Sequence, residues 1–267
     1  MVWPGRENRI SEAAVRSLKT KRALVFEIAW GQVGWVSGIL VIAATIQGVA
    51  GFGFMLIAAA GLIQIYPAQL IVPGLALIYI PLGIAQTIQV RREIDKHLLG
   101  AWVISALIGV LPGTLVLTFV DTLTMKRGIG LLMVILAVLL KIRPGRPFRN
   151  ERVARWGAGV LSGALGASTS VAGPPIVLIA IKQRWEVESF RASLLAYFTV
   201  LCIVITGVHS QHGLVTSQTV TWSASGIPGI AVGFLAATWM RGRVQDENFR
   251  RLGVALVFGG GLVALFF

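Results

Sequence analysis

Acidic side chains are scarce in this chain, with eleven Asp and Glu against twenty-four Lys and Arg in 267 residues. All eleven lie in loops, the tail or near segment ends, as with Glu27, Glu93, Asp121 and Glu186. No carboxylate therefore stands at mid-membrane depth to relay a proton or hold a cation, which argues against a cation transporter and against a membrane hydrolase with an acidic metal cage. Cysteine is nearly absent: Cys202 stands alone, so an intrachain disulfide and a cysteine-built metal site are excluded. The three histidines, His97, His209 and His212, fall in or beside predicted loops, where solvated or capping roles are expected. His209 and His212 flank one turn and are the groups there that could respond to protons.

Apolar residues are what the chain has in abundance. They make up 55% of it, while charged residues make up 13%, against about a quarter in soluble domains. No charge occurs in residues 31–90, 98–120, 156–181 or 252–267. Each stretch approaches or exceeds the roughly 17 residues that begin to span hydrocarbon, so the chain reads as a polytopic membrane protein in contact with the lipid bilayer. The net charge of +13 does not mark a nucleic-acid partner, because sixteen of the basic residues occupy four short loops and six more an N-terminal tail. That distribution is the signature of membrane topology. The apolar run after the tail is too long for a signal-peptide core, and retention of the N-terminus is expected.

Four regions follow: a basic tail (1–23), a first membrane repeat (24–140), a basic cytoplasmic linker (141–155) and a second membrane repeat (156–267). The two repeats share landmarks in the same order. "VAGFGFMLI" from Val49 matches "VAGPPIVLI" from Val171, "VLPGTLV" around Pro112 matches "GIPGIAV" around Pro228, and "KRGIGLLMVILAVL" from Lys126 matches "RRLGVALVFGGGLV" from Arg250. Placing the basic loops 91–96, 141–155, 182–191 and 241–251 in the cytoplasm makes the segment 156–181 enter the membrane and return. Its counterpart in the first half then has the opposite orientation. The expected fold is all-α, with about eight transmembrane segments in two inverted repeats, each opening with a glycine-interrupted helix that is broken or re-entrant.

Such interruptions free backbone groups that lipid cannot satisfy, so they persist where they are buried in protein or line a cavity. In "QGVAGFGF" the candidate substrate-binding residues are Gln47, Gly51, Phe52 and Gly53, with a short helix beginning near Phe52 to Phe54. In "GASTSVAGPP" they are Ser168, Thr169, Ser170, Gly173 and Pro174, where three hydroxyls precede a proline suited to a helix's first turn. A helix N-terminus offers unpaired N–H donors and partial positive charge, an anion site without Arg or Lys. The alternative is that the glycines serve tight helix packing. Gln47, directly before the first cluster, is the leading side-chain candidate, and Gln86 with Thr87 come next. Interhelical hydrogen bonding is the competing role for each. Trp102, Trp156, Trp185 and Trp239 lie near segment ends, where interfacial tryptophans are common.

The segments "QGVAGFGFMLIAAAGL" and "SGALGASTSVAGPPIVLIAI" resemble the sulfite exporter TauE/SafE family of membrane permeases, and the likeness covers nearly the whole chain. It implies a multi-pass carrier of the bacterial inner membrane moving a sulfur-containing anion such as sulfite, thiosulfate or a small organosulfonate. The chain departs from the family where many members have a third glycine or a proline soon after the first motif; here "FMLIAAAG" follows. No cofactor is implied, and no nucleophile, base and orienting group occur together to make an enzyme. A homo-oligomer is compatible with this reading. The alternatives are a channel for small anions or neutral solutes, and a membrane protein acting on lipid.

Overall fold

The computed structural model describes residues 30–50, 53–139, 148–183 and 185–240. The tail 1–23, most of the linker, the loop 241–251 and the last apolar segment, 252–267, lie outside the described residues, as do Gly51 and Phe52. Among the described residues all regular structure is helical: α1 (Trp30–Ala50), α2 (Phe54–Leu62), α3 (Ala68–Gln89), α4 (Lys96–Phe119), α5 (Thr122–Leu139), α6 (Glu151–Thr169), α7 (Gly173–Gln183), α8 (Val187–Gln211) and α9 (Ser217–Met240). Of these, α3, α4, α8 and α9 are long and apolar enough to cross a bilayer. The first turns of α1, up to Val36, fall in a separate unit of the chain; residues from Ser37 onward form the unit that carries the rest.

Helix starts are set by side chains that satisfy orphan amides. Asp95 Oδ1 accepts from His97 N (2.8 Å) and Leu98 N (3.1 Å) at the head of α4, and Asn150 Oδ1 accepts from Val153 N (3.2 Å) at the head of α6. Asp121 does the same before α5, accepting from Leu123 N (3.1 Å) and Thr124 N (3.0 Å). Hydrogen bonds from Thr124, side chain first and backbone second, hold the Asp121 carboxyl below its usual range.

The pattern on α4 explains why the helices pack as they do. Its small residues Ser105, Ala106, Gly109 and Gly113 are buried, while Ile104, Leu107, Ile108, Leu111 and Leu115 are exposed. Large aliphatic side chains outside and small ones inside is the arrangement that suits a lipid solvent, where close backbone approach rather than water exclusion drives association. Here α4 lies against α6 so closely that a Cβ at Gly109 would overlap the Val160 carbonyl, and one at Gly163 the Ala106 carbonyl. A matching contact joins α9 to α1: a Cβ at Gly233 would strike Val41 O and Ala44, and Thr45 Oγ1 donates to Gly233 O at 3.2 Å. The Pro112-Gly113 and Pro228-Gly229 pairs, matched in sequence, sit in these two matched contacts.

Between them, α3 packs on α8, with Thr87 and Thr199 hydroxyls 3.1 Å apart. Trp102 does not face outward as an interfacial tryptophan does. It is fully buried, with Tyr197, Trp185 and Phe190 around it at ring-centroid distances of 5.8, 5.8 and 6.1 Å. Trp239, by contrast, is exposed.

Candidate functional site

The first break separates α1 from α2. Gly53, the residue before α2, has φ 109°, a left-handed conformation that side chains rarely adopt and glycine adopts freely. The first intrahelical bond of α2 runs from Ile57 N to Gly53 O (2.9 Å), which leaves the amides of Phe54, Met55 and Leu56 without a partner inside the helix. One of the three is taken by a side chain. Gln47, 2% exposed, reaches across the break, and its Oε1 accepts from Phe54 N at 2.9 Å.

That bond fixes the surrounding network. An amide N–H can only donate, so the Gln47 atom facing Phe54 is the carbonyl oxygen, and its Nε2 is directed to Tyr79 Oη (2.7 Å) and Gln86 Oε1 (3.1 Å). Gln86 must therefore present its own oxygen to Gln47. Its Nε2 is left buried with no hydrogen-bond partner. Tyr79, fully buried beside Phe54 at 5.7 Å between rings, completes the support.

The second break is held differently. Three consecutive hydroxyls end α6, and two are committed to the helix itself: Ser168 Oγ donates to Ala164 O and Thr169 Oγ1 to Leu165 O, both at 2.7 Å. Thr169 Oγ1 also accepts from Val171 N at 3.2 Å. Ser170 turns the chain with φ 64°, and its hydroxyl makes a long contact, 3.4 Å, to Val72 O. Two further side chains hold the buried turn after α6, one from α6 itself and one from α8. Ser162 Oγ donates to Ala172 O (2.6 Å) while accepting from Tyr197 Oη (2.8 Å), and His209 Nε2 lies 3.1 Å from Ala167 O. A carbonyl only accepts, so this nitrogen carries the proton.

Of the solvated and capping roles expected for it, His209 takes the second. It is wholly buried on α8 and closes an orphan carbonyl of a broken helix, instead of lying solvated in the turn. The start of α7 also differs from a simple amide cradle. Gly173 opens the helix and Pro174 and Pro175 follow, so two of its first positions have no N–H to offer.

Both breaks face one cavity of about 50 Å³. Gln47, Gly53, Met55 and Leu56 line it from the first, and Ser170, Gly173 and Pro174 from the second. Ala76 of α3 and Phe198, Leu201 and Cys202 of α8 close the remaining walls with apolar surface and a thiol. The structure therefore brings Gln47, Gly53, Ser170, Gly173 and Pro174 together. Ser168, Thr169 and Gln86 do not line this cavity.

Gln86 lines a neighbouring polar chamber of about 170 Å³, together with Gln47, Gly48, Gln89, Glu93, Glu188 and Arg191. Arg191 belongs to α8 and not to the preceding loop, and its Nη2 donates to Gly48 O (3.2 Å) at the end of α1. By sequence Arg191 falls among the cations of the loop 182–191, and no local pattern singles out Tyr79. The available signal is Arg191's position directly before the apolar run that begins at Ala192.

Among the described residues no three His, Cys, Asp or Glu side chains gather as a metal site would require. Comparison with curated proteins and with solved structures returned no match. A family model described as Sulfite exporter TauE/SafE matches residues 36–264, a stretch that holds both breaks and the cavity between them. With four helices able to span a bilayer and a match over most of its length, the chain is a multi-pass membrane protein of the sulfite exporter TauE/SafE family, a family of transporters.

Proposed function

We propose that the protein is a secondary carrier for a small sulfur-containing oxyanion in the bacterial inner membrane, with the anion held between the two broken helices. The observation that carries this reading is the meeting of both breaks at one cavity. Its size favours the smaller members of the substrate class: about 50 Å³ admits about three to five water-sized positions, which suits sulfite or thiosulfate better than an extended organosulfonate. Donors come from the head of α2, where Met55 and Leu56 amides have no intrahelical acceptor, from the Ser170 hydroxyl and from the Gly173 amide. No cation stands among the lining residues, so binding relies on oriented amides and a helix dipole in apolar surroundings, where such interactions are strong.

Gln47 has a specific part in this scheme. Its Oε1 occupies the Phe54 amide as a substrate oxygen would, so it stands in for the anion and yields that donor when the anion arrives. Capping the amide in the substrate-free state avoids a buried unsatisfied donor.

About eight membrane segments in two inverted repeats fit this function. The reading is supported by the recurring order of a long helix, a short helix and two long ones (α1 to α4, then α6 to α9), and by the matched contacts of α4 on α6 and α9 on α1. Alternating access then consists of one repeat rocking against the other around the cavity. Counterflow in proteoliposomes tests the carrier directly: preloaded unlabelled sulfite should drive transient accumulation of labelled sulfite. Flux that never saturates and shows no counterflow would indicate a channel instead.

A further inference from the structure

We propose that the polar chamber beside Gln47 is a second anion-binding station, in which a partly hydrated oxyanion is held between the Gln86 amide and the Arg191 guanidinium. The first observation is the orphaned donor. Gln86 is 3% exposed, its oxygen is engaged by Gln47, and its Nε2 faces the problem of a buried N–H group with no acceptor in the protein. Such groups are rare because their cost persists unless an acceptor visits them. The second, independent observation is a cation on the same wall: Arg191 lines the chamber, reaching over the end of α1 to Gly48 O. Gln86 and Arg191 thus line one space, and amide and guanidinium N–H groups are the donors an oxyanion takes.

Size distinguishes the two spaces. At about 170 Å³ the chamber admits on the order of ten or more water positions, against about three to five for the inner cavity. An anion can enter the first with much of its hydration and must lose most of it to enter the second. Gln47 lines both, so its side chain is the partition between them. Glu93 and Glu188 also line the chamber and are exposed. Their charge opposes an anion, so Arg191 and the Gln86 amide are what hold it. The further step, in which the anion passes Gln47 to the inner cavity, rests on the proposed function; binding in the chamber does not.

The test is equilibrium binding of radiolabelled sulfite to the purified full chain, with stoichiometry and affinity measured for wild type and three variants. Gln86→Glu keeps the oxygen that Gln47 needs and replaces the orphaned donor with an acceptor. Arg191→Gln removes the cation, and Val177→Phe fills the inner cavity, which Val177 lines. Two anions per chain are expected in wild type. Gln86→Glu and Arg191→Gln should each weaken one of them at least about tenfold, the size of losing a hydrogen bond to a charged group, and Val177→Phe should retain the chamber anion alone. Full binding in Gln86→Glu and Arg191→Gln, with loss of all binding in Val177→Phe, would overturn the chamber and leave the proposed function standing. Full binding in Val177→Phe, with loss in the other two, would support the chamber and remove the inner cavity from the proposed function. Because Arg191→Gln also removes a bond to Gly48 O, Gln86→Glu is the deciding variant if the arginine variant fails to fold.

Discussion

Gln47 Oε1 lies 2.9 Å from Phe54 N, a side chain closing the gap that its own helix leaves open. The two are seven positions apart, and the chain reaches Phe54 through Gly53 in a left-handed conformation that glycine adopts freely. The glycines make the break, and the glutamine makes it tolerable in an apolar interior.

Replacing Gln47 separates its structural role from its role as a stand-in. Gln47→Leu leaves the Phe54 amide and the Tyr79 hydroxyl without their partners, and the unliganded protein should lose about 1 to 3 kcal/mol for each buried group left unsatisfied. Added sulfite should then stabilise this variant by more than it stabilises wild type, because the amide no longer has a competitor. Gln47→Glu, a permanent anion at the amide, should abolish stabilisation by sulfite. Equal ligand shifts in all three proteins, read from thermal unfolding, would rule out competition at Phe54.

The three hydroxyls of the second break should not behave alike. Ser170→Ala removes the one that lines the cavity and is expected to weaken binding by about 1.5 to 3 kcal/mol, the range for a hydrogen bond to a charged group. Ser170→Gly should weaken it as much while relieving the positive φ at this position. Ser168→Ala, whose hydroxyl is turned to Ala164 O, should bind as wild type does. Isothermal titration of the three variants checks the order; a Ser168 effect as large as that of Ser170 would contradict it.

Helix packing makes its own demand. Gly109→Val and Gly163→Val place a Cβ into the facing backbone of α6 and α4, which cannot yield as a side chain can, and folded yield should collapse. Gly100→Ala, with nothing within 4 Å of its new methyl, should be neutral or slightly stabilising. Monodispersity on size exclusion after mild detergent extraction distinguishes these outcomes.

His209→Phe should cost about 1 to 3 kcal/mol by leaving Ala167 O unpaired at the broken end of α6. His212→Phe, at the end of α8, should cost much less, since His212 is exposed. Similar unfolding temperatures for the two variants would mean that the carbonyl contact contributes nothing.

Much of this architecture could be read from the chain. Glycine and proline inside charge-free segments can mean few things, and the breaks at Gly53 and at Ser170 to Ala172 fall where those residues cluster. What could not be read is which polar group meets which. Ser168 and Thr169 look like ligand donors in a string of letters, but a hydroxyl on a helix in apolar surroundings finds the carbonyl four residues back first. The loss of two amides at Pro174 and Pro175 follows from residue type alone, yet its weight emerges only when the start of α7 is located. Arg191 and His209 depend on contacts between helices far apart in the chain, reaching Gly48 and Ala167 across 143 and 42 residues, which no local pattern encodes.

The most direct measurement is thermal stabilisation of the purified protein by sulfite, thiosulfate, sulfate, taurine and chloride, in wild type and in Val177→Phe. A ligand raises stability only by binding the folded state. An anion site between the broken helices requires that a small sulfur oxyanion shift the wild-type unfolding temperature upward, and that filling the cavity abolish the part of the shift due to the inner site while leaving the unliganded protein folded. A wild type that no anion stabilises, or a filled cavity that leaves the full shift in place, would contradict it.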